Sequence, residues 1–351
     1  MSSRDHTTPG VSASGVSFAI TSLLCWTVTP LFVEYFTGYL DLWSSNGWRY
    51  GMAALVWLPL LLMHIARGTL PKGTWKKAIA PAFFSCVAQV AFVAAFYEVQ
   101  PALLTFGLRM QIVATAIGAA ILFPAERPII TRPTFLIGGL AVMVGTISVA
   151  ALADRGEGGQ AVGTDEGGSL LLGVAYAMIA GVGYACYGMA VRKCLAGVSS
   201  RIAFSVVSLY VGGAMVVLMM LFARSPVADL RSLGGEEWVW LLLSVLFGLA
   251  GGHVIYFMAM ERLGVAPATG IIQLQPFTVA GASYLAFGEV LNVPQIAAGA
   301  IAVGGAVLML WTQHAVAKRR KLGAMRELDT LPVTPEVAAE EAERASEAPL
   351  R

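Results

Sequence analysis

Long apolar runs dominate the chain, and short polar stretches interrupt them at nearly regular intervals. A transmembrane helix needs about 20 predominantly apolar residues, and ten windows of roughly that length occur. They fall at residues 15–37, 44–66, 75–98, 100–122, 132–152, 169–191, 200–224, 238–260, 264–288 and 293–313. The pattern therefore predicts an all-α integral membrane protein with ten transmembrane helices.

The two halves of this pattern repeat each other. A constant offset of 163 residues joins Trp75 with Trp238, Glu98 with Glu261, and Glu126 with Glu289. Each half holds five windows, so the second half must enter the membrane from the side opposite to the first. The sequence thus predicts two inverted five-helix repeats, residues 15–152 and 169–313.

Positive charge is unevenly distributed over the predicted loops. With the N-terminus in the cytoplasm, fifteen Lys and Arg residues lie on the cytoplasmic side and three, Arg155, Arg224 and Arg231, on the other. Cytoplasmic loops carry the excess of Lys and Arg in membrane proteins, so both termini are predicted to be cytoplasmic. Lys and Arg residues are thus interpreted as setting the orientation of the chain in the membrane. The small net charge of +2 gives no reason to predict a nucleic-acid partner.

The remaining segments are polar. Residues 1–14 are predicted to be a short cytoplasmic segment, followed by an apolar run too long for a signal peptide. Residues 153–168 are rich in Gly and acidic residues and are predicted to form a flexible external linker. Residues 314–351 become rich in Glu, Ala and Pro after Lys321 and are predicted to be a disordered cytoplasmic tail.

Two matching stretches carry a resemblance to a known family. They read ALLTFGLRMQIVATAIGAAILFPAE, and ATGIIQLQPFTVAGASYLAFGE followed by VPQIAAGAIAVGGAVLML. The chain resembles the drug/metabolite transporter superfamily, EamA type, over about residues 15–313. The resemblance implies a bacterial inner-membrane carrier with a central cavity between two inverted repeats. One departure is that Val113 stands where the second repeat has Pro276.

The predicted function is a secondary transporter that exports a small metabolite, such as an amino acid or a related amphipathic compound, by alternating access. A drug or nucleotide-sugar or nucleoside carrier of the same fold is an alternative, and a membrane sensor or intramembrane enzyme is a more distant one. The sequence has no HExxH, GxSxG or GxxxxGK[ST] motif, so no catalytic residue, metal or cofactor is predicted. The predicted partners are the substrate and the bilayer, with a monomer as the simplest state and a homodimer as the alternative.

Arg109 is the most deeply placed charge. It lies about nine residues into its predicted helix, or roughly 13 Å from the helix end at 1.5 Å per residue. Its guanidinium could anchor a substrate carboxylate or phosphate, or it could belong to a structural ion pair or bind helix carbonyls. The repeat offset places Gln275 on the corresponding face, as its predicted counterpart in the substrate site. On a regular helix Gln273 and Gln275 cannot share a face.

Other polar and aromatic residues at membrane depth complete the predicted site. Gln89 is an amide that could line the pathway or bond across helices. Trp26, Tyr184 and Tyr256 could form an aromatic cavity wall, with ordinary packing as the alternative. His253 is included as a group that could titrate, although a neutral buried histidine is equally consistent with its position.

Glu34 is the predicted proton-coupling group. It lies near the outer end of the first helix, at a depth that matches Arg49, and a structural Glu34–Arg49 pair near the outer rim is expected. Glu98, Glu126, Glu261 and Glu289 stand at helix ends, where we expect water to reach them and helix-end roles to explain their repetition.

Overall fold

The computed structural model describes residues 13–122, 127–153, 169–263 and 265–329. All regular structure in these residues is helical, which confirms the all-α prediction. The helices are α1 (Ala13–Thr37), α2 (Leu42–Ala66), α3 (Thr74–Phe96), α4 (Pro101–Gly107), α5 (Met110–Leu122), α6 (Arg127–Ile130), α7 (Pro133–Ala153), α8 (Leu170–Cys194), α9 (Ser200–Phe222), α10 (Pro226–Ser232), α11 (Gly235–Leu243), α12 (Gly252–Leu263), α13 (Val265–Ile272), α14 (Gln275–Phe287) and α15 (Val293–Asp329). A π-helical segment, Ser244–Gly251, joins α11 to α12.

Helix lengths support a multi-span membrane protein. Eight helical stretches in the described part of the chain are long and apolar enough to cross a bilayer, and Pro133–Val149 within α7 is a shorter apolar helix. Large apolar side chains lie exposed on the outer faces, Leu55 at 65% and Leu285 at 84% for example. Such faces suit lipid rather than water. The predicted window 264–288 is divided between α13 and α14, so the count of ten spans stays a prediction.

The core is built mainly by helices from different halves of the chain. The most extensive contacts join α7 with α15, α2 with α9, and α3 with α8, and α1 packs along α12. Small residues bring the α7 and α15 backbones together, because a Cβ added to Gly138 would lie 2.7 Å from the carbonyl oxygen of Gly305. Close backbone approach of this kind is a common means of helix association in membranes.

Two predicted helices are broken in their middle. α4 and α5 are separated at Leu108 and Arg109, and α13 and α14 at Gln273 and Leu274. At both breaks the backbone N–H groups bond to the carbonyl three residues back, as Arg109 N–H does to Phe106 O and Gln273 N–H to Gly270 O. In the second break Pro276 contributes a cause, since proline cannot donate to the carbonyl four residues earlier and clashes with it.

The first part of the predicted tail is helical. α15 continues to Asp329, so residues 314–329 are helical, in contrast to the prediction of disorder from residue 314. This stretch is rich in Ala, Lys, Arg, Leu and Met, which are strong helix formers. The predicted N-terminal segment to residue 12, the linker from residue 154, Glu126, and the tail beyond Asp329 lie outside the described residues.

Candidate functional site

A cavity of about 60 Å³ lies among α2, α3, α8, α9 and the π segment with the start of α12. Helices from both halves of the chain therefore form its wall. A single water needs about 10–15 Å³ by this kind of measure, so the cavity holds a few waters or a small ligand. Its polar lining consists of Tyr50, Ser85, Gln89, Tyr184, Tyr187, Ser208 and His253.

The rest of the lining is apolar. Phe204, Val207 and Val211 come from α9, and Leu249 comes from the π segment. Hydroxyl, amide and imidazole groups thus stand beside aromatic and aliphatic surface. No Asp or Glu is among the residues that line the cavity. An arrangement of a few polar groups on a mostly apolar wall is typical of small-molecule sites.

The structure divides the predicted site residues into two groups. Gln89, Tyr184 and His253 line the cavity. Trp26 and Tyr256 are not among its lining residues, but Trp26 packs against both His253 and Tyr256, with ring centroids 5.3 and 5.0 Å apart. These two aromatic residues therefore support the wall of the cavity from behind rather than face its interior.

Arg109 and Gln275 also lie outside the cavity lining and contact each other. Arg109 is 7% exposed. Its Nε donates to Thr105 O at 3.2 Å, Nη1 to Gln273 Oε1 at 2.7 Å, and Nη2 to Gln275 Oε1 at 2.9 Å. Gln275 Nε2 in turn donates to Trp26 O at 2.8 Å. The guanidinium thus joins the break in one half of the chain to the break in the other.

This geometry corrects the expectation that Gln273 and Gln275 cannot face the same group. That expectation assumed a regular helix, and the chain is unwound at Gln273 and Leu274, so both amides reach one guanidinium. No carboxylate forms an ion pair with Arg109 among the residues that the structure describes. The alternative of carbonyl contacts, rather than an ion pair, matches the partners it has.

Arg49 has very different surroundings, although it is even more buried, at 1% exposed. Its Nε donates to Ser244 Oγ at 3.2 Å, at the start of the π segment. Its Nη2 is buried without a hydrogen-bond partner in the described residues. The expected Glu34–Arg49 pair is not formed, because the guanidinium turns toward the π segment while the carboxylate of Glu34 interacts with that of Glu289.

Arg49 belongs to a buried polar stripe on α2. Ser45 and Asn46 lie one turn before Arg49 and Tyr50, and residues four apart share a helix face. All four are buried, and Ser45 Oγ, Asn46 Oδ1 and Tyr50 OH have no hydrogen-bond partner in the described chain. Sequence reasoning missed this stripe, although the run SSNGWRY at residues 44–50 is an unusual polar cluster within a membrane helix and would have indicated it.

Glu34 and Glu289 form a second group of buried polar atoms. Glu289 is 5% exposed, and neither of its carboxylate oxygens, nor Oε2 of Glu34, has a hydrogen-bond partner in the described part of the chain. The expectation that water reaches Glu289 is therefore wrong. Gly288 ends α14 in the left-handed conformation, at φ 73°, which turns the chain back toward the protein. Burial raises the pKa of Glu289 to about 7.

The other helix-end glutamates differ from Glu289. Glu98 Oε2 accepts a hydrogen bond from the Ser169 N–H at 2.7 Å, and Ser169 caps the N-terminus of α8. This contact matches the helix-end role expected for Glu98. The side chain of Glu261 and the whole of Glu126 are outside the described structure.

Comparison with known proteins gives a consistent picture. Residues 171–311 match the EamA-like transporter family, so the predicted resemblance is confirmed for this part of the chain. No curated protein matches the sequence. A solved crystal structure of a protein is similar over 86% of this chain and 99% of its own, with a TM-score of 0.57 and 18% identity. This likeness concerns the fold alone.

Proposed function

We propose that this chain, which contains an EamA-like transporter family domain of the drug/metabolite transporter superfamily at residues 171–311, is a secondary membrane carrier that exports a small amphipathic metabolite. The observation that carries the proposal is the cavity, which is formed by helices from both halves and combines neutral polar groups with aromatic walls. Gln89, Tyr184 and His253 are the predicted residues that would contact the substrate.

The carrier would work by alternating access between two inverted five-helix repeats, residues 15–152 and 169–313. The helix packing supports this architecture, since α2 with α9 and α7 with α15 are the second and fifth predicted helices of each repeat. The contact of α3 with α8 joins the third helix of the first repeat to the first helix of the second repeat. The contact of α1 with α12 joins the first helix of the first repeat to the third helix of the second, as expected for two equivalent repeats. The broken helices also correspond, and inverted-repeat carriers place such breaks near their substrate sites.

Within this scheme Arg109 and Gln275 hold the two broken helices together. Trp26 connects this contact to the cavity, since its carbonyl binds Gln275 and its ring packs on His253. A change in the cavity could therefore reach the break through one residue. Glu34, together with Glu289, is the proposed site of proton coupling, because a buried pair of carboxylates binds a proton more readily than a solvated one.

The carrier is proposed to lie in a bacterial inner membrane with both termini in the cytoplasm. The asymmetry of Lys and Arg supports this orientation. Single cysteines introduced into the 153–168 linker should then react with a membrane-impermeant maleimide added outside cells, and cysteines in the 67–73 loop should not. Labelling of the loop alone would exclude the orientation.

A drug or nucleotide-sugar carrier of the same fold is less well supported. Sites for drug-sized ligands usually have volumes of about 300–1,000 Å³, far larger than the cavity of about 60 Å³. The observed cavity suits a ligand with the size of a small amino acid or short-chain acid. No residue arrangement in the described chain favours a sensor or an enzyme over a carrier.

Uptake into inverted vesicles tests the proposal. Pools of amino acids, short-chain acids, nucleosides and cationic dyes would be compared with and without a proton gradient. Ser208→Phe should fill the cavity and abolish most of the uptake, since Ser208 is on its wall. Val217→Phe is the matched control, because Val217 is on the same helix and 57% exposed. Equal uptake by the two variants at equal expression would disprove transport through this cavity.

A further inference from the structure

Arg49 is a buried cation without a counter-charge among the described residues. Its Nε donates to Ser244 Oγ, its Nη2 has no acceptor, and no carboxylate of the described chain lies within ion-pair distance. Removing a charge from water costs several kcal/mol unless it is paired and hydrogen-bonded. Buried polar groups in native proteins rarely lack partners. The empty donor positions of Arg49 therefore point to a group that arrives from outside the protein.

Two other unpartnered polar atoms belong to residues that line the cavity. Tyr50 OH and His253 Nδ1 are buried without hydrogen bonds to the described residues, and both residues line the cavity. Arg49 precedes Tyr50 on α2 and lies close enough to Tyr184, another lining residue, for an electrostatic interaction. The cavity lining thus offers one hydroxyl and one imidazole nitrogen without partners in the described chain, and Arg49, which is not itself a lining residue, is the neighbour of Tyr50 along α2.

We propose that the cavity binds a carboxylate group of the transported compound beside Tyr50, with Arg49 as its charge partner. The inference rests on the proposed carrier function and narrows its substrates to small organic anions. The planar guanidinium offers two parallel N–H groups that match the two oxygens of a carboxylate, and Tyr50 OH can donate a further hydrogen bond. The aromatic rings of Tyr187 and Phe204 face the apolar body of the same ligand.

The charges around the cavity do not favour a cationic or a neutral ligand. The lining contains no Asp or Glu, so a cationic ligand would meet the charge of Arg49 without a compensating carboxylate. A neutral ligand would leave that charge unpaired. Arg109 cannot take the same role in this state, because each of its three nitrogens already donates to a protein oxygen.

The test compares three probes of one shape: 3-methylbutanoate, 3-methylbutanamide and 3-methylbutylamine. Binding to the purified full-length protein in detergent would be followed by thermal shift and by competition for uptake in proteoliposomes. A hydrogen bond between charged groups contributes about 1.5–3 kcal/mol, so the carboxylate should bind about 10- to 100-fold more tightly than the amide. The amine should bind most weakly. Equal binding of carboxylate and amide to the native protein would overturn the proposal.

Variants test whether the charge of Arg49 causes the difference in affinity between the carboxylate and the amide. In Arg49→Gln the affinity for the carboxylate divided by that for the amide should fall to about one. In Arg49→Lys this ratio should lie between one and the native value. Ser244→Ala removes the only observed acceptor of Arg49 but leaves the cation, so it should retain the ratio. A folded Arg49→Gln protein that retains the native ratio would refute the assignment. If Arg49→Gln does not fold, a ratio in Arg49→Lys that is lower than the native one but still above one supports the assignment, and a fully native ratio or a ratio of one there refutes it.

Failure of the anchor can be distinguished from failure of the carrier. If Ser208→Phe blocks uptake while the native protein treats carboxylate and amide alike, the cavity carries substrate and only the carboxylate assignment is wrong. If Ser208→Phe leaves uptake intact while the native protein prefers the carboxylate and Arg49→Gln abolishes that preference, the anion site stands and the transport route is wrong.

Discussion

Arg109 and Arg49 are buried to a similar extent, and neither has a carboxylate partner among the described residues, yet their surroundings differ. The three nitrogens of Arg109 donate hydrogen bonds to two glutamine side-chain oxygens and one backbone carbonyl. Arg49 makes one hydrogen bond and leaves Nη2 without an acceptor. A buried charge whose three nitrogens all donate to protein oxygens stabilises the protein, whereas one with a nitrogen that lacks an acceptor is prepared for a ligand. The presence of a nitrogen without an acceptor, rather than depth in the membrane, separates the two roles.

The largest effect on stability is expected for Arg109→Gln. The shorter side chain cannot reach both Gln273 and Gln275, so at least one buried amide oxygen loses its partner at about 1–3 kcal/mol, and the link between the two broken helices is lost as well. We expect a loss of about 3 kcal/mol, with lower melting temperature and uptake for every substrate alike. Arg49→Gln, measured beside it, should melt near the native temperature, because it removes an unpaired buried charge. A lower melting temperature for Arg49→Gln than for Arg109→Gln would contradict the comparison.

Gln273→Leu should have the next largest effect. It removes the acceptor of Arg109 Nη1 and leaves a buried charged donor unpaired, which costs about 2 kcal/mol. Gln89→Leu is the matched control, since Gln89 is a membrane-depth amide that lines the cavity and has no hydrogen bond to Arg109. Thermal unfolding in detergent should therefore show a clear loss for Gln273→Leu and a smaller one for Gln89→Leu. Equal losses would show that Arg109 does not depend on Gln273.

Glu289 provides a smaller, pH-dependent effect, and its carboxylate makes no hydrogen bond to either arginine. Its pKa is raised from about 4.5 to about 7 by burial, so the folded state binds a proton more tightly than the unfolded state. This contribution to stability is complete below about pH 4.5 and declines as the pH rises toward 7. The decline should amount to about 1–2 kcal/mol between pH 5 and pH 7, because each pH unit between the two pKa values changes the free energy of unfolding by at most about 1.4 kcal/mol.

The measurement is the melting temperature between pH 5 and pH 8. Glu289→Gln should remove a large part of the decline, and Glu98→Gln should leave it unchanged, since Glu98 already accepts a hydrogen bond. A native protein whose melting temperature rises over this range, or a Glu289→Gln protein with the full native decline, would contradict the account.

Truncation after Asp329 should have the smallest effect. The helix α15 ends there, and the removed residues contain no apolar run that could pack in the bundle. Melting temperature and uptake should both stay within error of the full chain. Truncation after His314 is the contrasting variant, because it also removes helical residues of α15. Loss of uptake in the chain truncated after Asp329 would assign a role to the tail.

Most helices could be predicted from the sequence because membrane spans follow from the length of apolar runs. The breaks at Arg109 and Gln273 could not be predicted in this way. A window of apolar residues looks the same whether a backbone N–H bonds to the carbonyl four residues back or, as at these breaks, to the one three residues back. The same assumption of regular helices separated Gln273 from Gln275, which in fact contact one guanidinium.

The candidate site was predictable only in part. Gln89, Tyr184 and His253 were identified as polar or aromatic residues in apolar helices, and all three line the cavity. Matching depths predict a pair of Arg49 with Glu34, but depth gives no information about the direction in which a side chain points. A position after a helix end predicts that Glu289 is in water, whereas the side chain is buried beside the left-handed turn at Gly288.

The most direct test of the central claim is the ratio of dissociation constants for 3-methylbutanamide and 3-methylbutanoate, measured on the native protein, Arg49→Gln and Arg109→Gln under one set of conditions. The account predicts a ratio of about 10 to 100 for the native protein, a similar ratio for Arg109→Gln despite its lower melting temperature, and a ratio near one for Arg49→Gln. A ratio that disappears in Arg109→Gln and persists in Arg49→Gln would contradict it.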